Sequence, residues 1–193
     1  MNRFLSITSL LFVCHFSLGA QELSNWTAQT APCLESRELA KHDRMEIGVW
    51  MNTSNVALVA EFSRAMDFWA NFLDMSWHER NTPDCAIQVV DGSHSLFLSD
   101  IIAARAQLVD RKLFYGWIAF NPKCRLSDVE AYLTAIHEIG HTLGLPHNPN
   151  PKSVMYFLNP EYPPLLDKSD IAYLRKRHKL RDASAAAAQL ARN

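Results

Sequence analysis

The chain has 193 residues, 48% apolar and 20% charged, and its 19 Lys and Arg nearly balance 20 Asp and Glu for a formal net charge of −1. That length and apolar content suffice for one substantial core, so a single domain is the default expectation. Near-neutral charge removes the electrostatic reason to expect nucleic acid or an acidic lipid surface as a partner.

The N-terminus reads as an export signal. Met1-Asn2-Arg3 is a cationic start, Phe4 to Phe16 an apolar run, and Leu18-Gly19-Ala20 supplies small residues before a cleavage after Ala20. The run is too short and too mixed to span a bilayer permanently, although a retained anchor is the other reading. The expected product is secreted, either extracellular or periplasmic, with no stable membrane insertion. Cys14 would leave with the signal, so the mature chain keeps Cys33, Cys85 and Cys124. An odd count allows one disulfide of unassigned pairing and one free thiol.

Residues 21–43 show no hydrophobic period and are expected to form an irregular N-terminal arm. Met45 to Met51 alternates in the manner of a half-buried strand, and the polar stretch Asn52 to Asn55 can cap a helix. From Val56 to Leu73, the residues Leu58, Phe62, Met66, Trp69 and Leu73 recur at helical spacing, as a packing face would. Met75 to Glu79 suggests a short strand and Cys85 to Val90 a stronger one, with Asn81-Thr82-Pro83-Asp84 breaking the chain between them. His78 and His94 lie outside any ligand spacing, and Asp91, Asp100 and Asp110 are too scattered to form an oxygen-ligand loop. Residues 96–113 read as part helix and part loop. Gly116 to Asn121 reads as a strand ended by Pro122.

Ser127-Asp128-Val129-Glu130 is a capping box opening a helix whose buried stripe would be Val129, Leu133, Ile136, Gly140 and Leu143. On a neighbouring face stand His137 and His141, four apart and therefore stacked one turn from each other. Gly144 tolerates the positive φ of a sharp helix end, after which the chain can bring His147 to the same place. Three neutral imidazoles suit one Zn²⁺ and leave a fourth tetrahedral position open, as catalytic rather than structural sites do. Glu138 adjoins the first ligand and can serve as general base and acid on a water at the open position. A helix with surface histidines and a structural zinc site are the bland readings. The latter needs a fourth protein ligand, for which only Cys33 offers itself. Beyond His147, Pro146 and Asn148-Pro149-Asn150-Pro151 stiffen a loop leading to Ser153-Val154-Met155-Tyr156. Asp167-Lys168-Ser169-Asp170 then caps a final helix with Ile171 and Leu174 facing the core. The basic run Arg175 to Arg181 fits a solvated helix end better than a nucleic-acid patch, and residues 183–193 read as a disordered tail.

The eleven residues from His137 to His147, followed by the Met155 turn, resemble the signature of the metzincin zinc peptidases. The matrixin branch is the most similar, because Tyr156 directly follows Met155. The resemblance implies an α/β (α+β) metzincin-like zincin. Its fold would be a small twisted mixed sheet with two long packing helices, one of them carrying the zinc motif, and a C-terminal helix. Residues 44–182 would form the single catalytic domain. It further implies zinc-dependent endopeptidase activity by a monomer acting on protein or peptide, with one catalytic Zn²⁺ on His137, His141 and His147 and with Glu138 as the base. A secreted zinc-binding homologue without catalysis is the alternative. Matrixins often carry additional structural Zn²⁺ or Ca²⁺, which this sequence does not support. Met155 would floor the site, Phe157 to Leu166 would wall a substrate pocket, and Gly116, Trp117, Ile118 and Ala119 would be the edge strand that pairs with substrate. The residues of that strand alone fit an interior strand as well. Ala31-Pro32-Cys33-Leu34-Glu35 lacks the arginine and glycine of the family's latency switch.

Overall fold

The structure is a computed structural model and describes residues 44–83, 86–92, 97, 103–108, 116–157 and 162–181. The expectations for the signal at 1–20, the arm at 21–43, Cys33, Cys85, His94 and the tail at 183–193 lie outside these residues.

Eight elements follow one another: β1 (Met45–Asn52), α1 (Val56–Phe72), β2 (Met75–Glu79), β3 (Ile87–Asp91), β4 (Ala104–Leu108), β5 (Gly116–Phe120), α2 (Asp128–Thr142) and α3 (Lys168–Arg177). The strands form one mixed sheet in the order β2-β1-β3-β5-β4. β4 is antiparallel to β5, and every other pairing is parallel. This is the mixed α/β architecture expected of a metzincin-like fold.

α1 starts where the Asn55 side chain accepts from the Leu58 N–H at 3.1 Å, satisfying a donor that the first turn leaves orphaned. Its expected stripe of Leu58, Phe62, Met66, Trp69 and Leu73 is buried throughout. Phe62 meets Phe120 of β5 edge to face, with ring centroids 6.4 Å apart, so α1 covers the sheet. Ser127 caps α2 in the predicted capping box, its N–H donating to Glu130 Oε2 at 2.8 Å. Leu133, Ile136, Ile139 and Leu143 are buried, whereas Val129 is 48% exposed. Ala131 and Ala135 carry the packed face instead, because small residues let helices approach closely.

α1 and α2 are joined at one close crossing. The buried Trp69 indole donates to Ile136 O at 3.1 Å. A β-carbon on Gly140 would run into Met155 Sδ and come within 3.2 Å of Trp69 Cζ2. Gly140 therefore lets the motif helix rest directly on the methionine and the tryptophan.

Two expectations are corrected. Residues 104–108, read as part of a helix-and-loop stretch, form strand β4. Gly116, Trp117, Ile118 and Ala119 do not lie at an edge: β5 pairs with β3 on one side and β4 on the other, so its hydrogen-bonding capacity is spent within the sheet. Among the described residues, the outer strand on this side of the sheet is β4. Because Asn121 N–H donates to Ala103 O, antiparallel alternation turns the polar backbone groups of Ala104, Ala106 and Leu108 outward. No helix among the described residues is long and apolar enough to cross a membrane.

Candidate metal centre

His137 and His141 project from the last turns of α2 with their Nε2 atoms 3.1 Å apart. The helix then stops in a left-handed turn. Gly144 has φ 86°, its N–H donates to His141 O at 2.9 Å, and Leu145 N–H donates to Gly140 O at 2.9 Å. This double closure satisfies the final carbonyls and throws the chain back across the helix end. It delivers His147, whose Nε2 lies 3.2 Å from that of His141. All three ligand nitrogens lie within 4.8 Å of one another, and no fourth ligand joins them among the described residues.

The hydrogen bonds behind the rings fix which nitrogens face inward. His137 Nδ1 is 2.8 Å from Val154 O, and His141 Nδ1 is 2.9 Å from Leu145 O. A carbonyl only accepts, so both Nδ1 atoms carry the hydrogen and both Nε2 atoms present lone pairs. Two lone pairs 3.1 Å apart cannot hydrogen-bond each other; a shared cation resolves the repulsion. The spacing suits zinc, since two nitrogens at 2.0–2.1 Å from a tetrahedral ion are about 3.3 Å apart. Protons compete poorly for the same lone pairs. Burial, with the His141 charge adding to it, drives the pKa of His137 down to about 3, and burial lowers that of His141 as well. His147 keeps an exposed side and falls to about 4 for the same two reasons.

Glu138 is 4% exposed, and its Oε2 accepts the outward N–H of Ala106 on β4 at 2.7 Å. Burial pushes its carboxyl up to about 7, against the opposing pull of the Ala106 hydrogen bond and the Arg105 charge. A cation bound at the imidazoles would draw it down again. Met155 is fully buried under Gly140, within the Met-turn whose Val154 orients His137. Of the segment expected to wall a pocket, Leu165 O binds Val154 N–H at 2.8 Å and Tyr162 is exposed.

Sequence reasoning missed β4 and the Ala106 N–H. The Ala104-Arg105-Ala106-Gln107-Leu108 alternation was a usable strand signal once alanine counts as apolar, but a backbone donor has no residue code.

Comparison with known proteins agrees with this geometry. A stretch of 47 residues is 51% identical to an archaemetzincin of Pyrococcus abyssi (strain GE5 / Orsay), covering 24% of this chain. The aligned part spans only 23% of that relative's length. Residues 47–177, well over half of the chain, match the matrixin family. With an imidazole trio built to share a zinc ion and that match across sheet and helices, the chain belongs to the matrixin family of zinc metallopeptidases.

Proposed function

We propose that the protein is a secreted endopeptidase that cuts within extended protein or peptide chains, with Glu138 moving the proton. The observation that carries this reading is the placement of Glu138, next in the chain to His137 and pinned at 2.7 Å to β4, the strand that ends the sheet beyond β5.

His137, His141 and His147 would hold one Zn²⁺, which when bound supplies Lewis-acid polarisation of the scissile carbonyl and acidifies water. Glu138 then takes a proton from the attacking water and passes it to the departing amine. Its burial favours this role, since a desolvated carboxylate holds a proton more readily than an exposed one. The outward backbone of β4 runs past the same carboxylate, and an extended peptide can add to it as a further strand. Such an edge accepts chain on either side of the cut, which supports internal cleavage over removal of terminal residues. Export is supported by the N-terminal Met1–Ala20 pattern.

The test is hydrolysis of labelled casein by the purified protein, by a Glu138→Ala variant, and by the protein with a chelator. Casein should be cut only by the native, metal-replete protein. Equal turnover by Glu138→Ala would remove Glu138 from the mechanism, and inert native protein that binds zinc would favour the non-catalytic binding homologue.

A further inference from the structure

Two of the ligand histidines are oriented by loop backbone and the third is itself part of that loop, and these segments are fastened to one element that never reaches the centre. His137 leans on Val154 O in the Met-turn. His141 leans on Leu145 O, in the turn that follows its own helix. His147 precedes Asn148 in the chain. Behind these segments lies α3.

At its first turn, the buried Asp170 is a hub. Its Oδ1 accepts from Asn148 Nδ2 at 2.8 Å, and its Oδ2 accepts from Ser153 Oγ at 2.6 Å and from Asp167 N–H at 3.0 Å. Asn148 Nδ2 also donates to Ser169 Oγ at 2.9 Å. Ser153 Oγ in turn accepts Met155 N–H at 2.9 Å, and Met155 O accepts Asn148 N–H at 2.8 Å. The Met-turn and the residue after His147 are thus one hydrogen-bonded unit built on α3. Asp170, Asn148 and Ser153 are all at most 5% exposed, so these bonds form where an unpaired polar group is costly.

At its far end, α3 holds the other side of the same loop. His178 Nε2 donates to Leu143 O at 2.8 Å, and Arg177 Nη1 donates to Gly144 O at 2.8 Å. Both acceptors belong to the turn that ends α2, where carbonyls lack helical partners. The Arg177 guanidinium is braced over the Tyr173 ring at 4.1 Å.

We propose that α3 is a splint for the metal centre, gripping the Leu143–Asn148 turn at both ends and the Met-turn beside it, so that Asn148, Asp170, Arg177 and His178 act as positioning residues that set how tightly the three imidazoles keep their ion. The proposal rests on the metal-centre reading above. Outer hydrogen-bond partners of metal-binding imidazoles change affinity by about 10–100-fold when removed. The sequence hides this, because Arg177 and His178 read as part of a solvated basic run.

The experiment measures the rate at which zinc passes from the full chain to a chromophoric chelator. It compares the native protein with Asn148→Ala, Arg177→Ala and Arg177→Lys, and with Arg181→Ala as a control. Arg181 fastens the same end of the chain to Met75 O and touches no part of the metal loop. Asn148→Ala and Arg177→Ala act one bond further out than the carbonyls that hold the imidazoles, and should release zinc a few-fold to about tenfold faster. Arg177→Lys should recover part of that loss, and Arg181→Ala should match the native rate. Native rates in Asn148→Ala and Arg177→Ala overturn the proposal. Equal acceleration by Arg181→Ala overturns it too, since the effect would then be general loosening. A native protein that takes up no zinc overturns the metal-centre reading, and this proposal with it.

Discussion

Glu138 shows how much of this site depends on atoms that no side chain encodes. Its carboxylate is fixed by the Ala106 N–H, just as His137 and His141 are fixed by Val154 O and Leu145 O. Replacing Glu138 with Gln keeps the shape and removes the proposed base, so turnover should fall about 10²–10⁴-fold while one zinc is retained. Steady-state kinetics with metal analysis checks both halves; loss of zinc would make Glu138 structural. Gly144 presents the converse case, a residue whose role lies wholly in its backbone. At φ 86°, Gly144→Ala should cost about 1–2 kcal/mol, read by denaturant unfolding. Both histidine spacing and this glycine were legible in the sequence, because ligand geometry and left-handed backbone each restrict the residue type. The carbonyls that set the imidazole tautomers were not, because any residue supplies one.

At the scale of elements, the contact of α2 with the Met-turn gives a prediction whose size depends on context. Gly140→Ala gains about 1 kcal/mol of helix propensity. It also drives a methyl into the fully buried Met155, and overpacking of this kind costs about 1–3 kcal/mol. The substitution should therefore destabilise the native protein. In a Met155→Ala background, which itself loses about 2–5 kcal/mol, the closest contact left to the added methyl is Trp69 Cζ2 at 3.2 Å, so the same change should cost less or stabilise. Equal costs in the two backgrounds, measured by thermal unfolding, would mean that Met155 does not support the helix there. The helices were the most readable elements, since the α1 stripe and the two capping boxes are local patterns. Strand order was not readable. β5 looks the same whether its outer side meets water or β4, and only the pairing of residues distant in sequence decides.

For the molecule as a whole, the imidazoles make acid the weakness of the metal-stripped protein. In the unfolded chain histidines take protons near pH 6.5, but in the fold His137 refuses them down to about 3 and His147 down to about 4, while His141 and His178 are also held low by burial. Their contribution is present above about pH 6.5 and is lost as the pH falls toward the folded values. Glu138 runs the other way: protonated in the fold up to about 7 but in the unfolded chain only to 4.5, it favours folding below 4.5 and loses that contribution as the pH rises through about 7. Glu138 and Asp170, the carboxyls that burial raises, offset four histidines only in part, and the lowered carboxyls of Asp74, Glu130 and Asp167 add to the loss in acid. The unfolding free energy of the stripped protein should fall between pH 7 and pH 4 by an amount on the order of a few kcal/mol. A flat or rising profile in chemical denaturation would contradict the neutral, lone-pair-inward trio. Added zinc should raise stability from neutral pH down to about 4, because the folded ligands need shed no protons until His147 itself is protonated.

Titration of the stripped protein with Zn²⁺, followed by cleavage of an internally quenched peptide, tests the centre most directly. Hydrolysis should return in proportion to metal and saturate at one equivalent, and a His147→Ala variant should stay inactive at that concentration. Cleavage that survives stripping, or a His147→Ala variant that recovers alongside the native protein, would contradict a single ion held by three imidazoles as the seat of the activity.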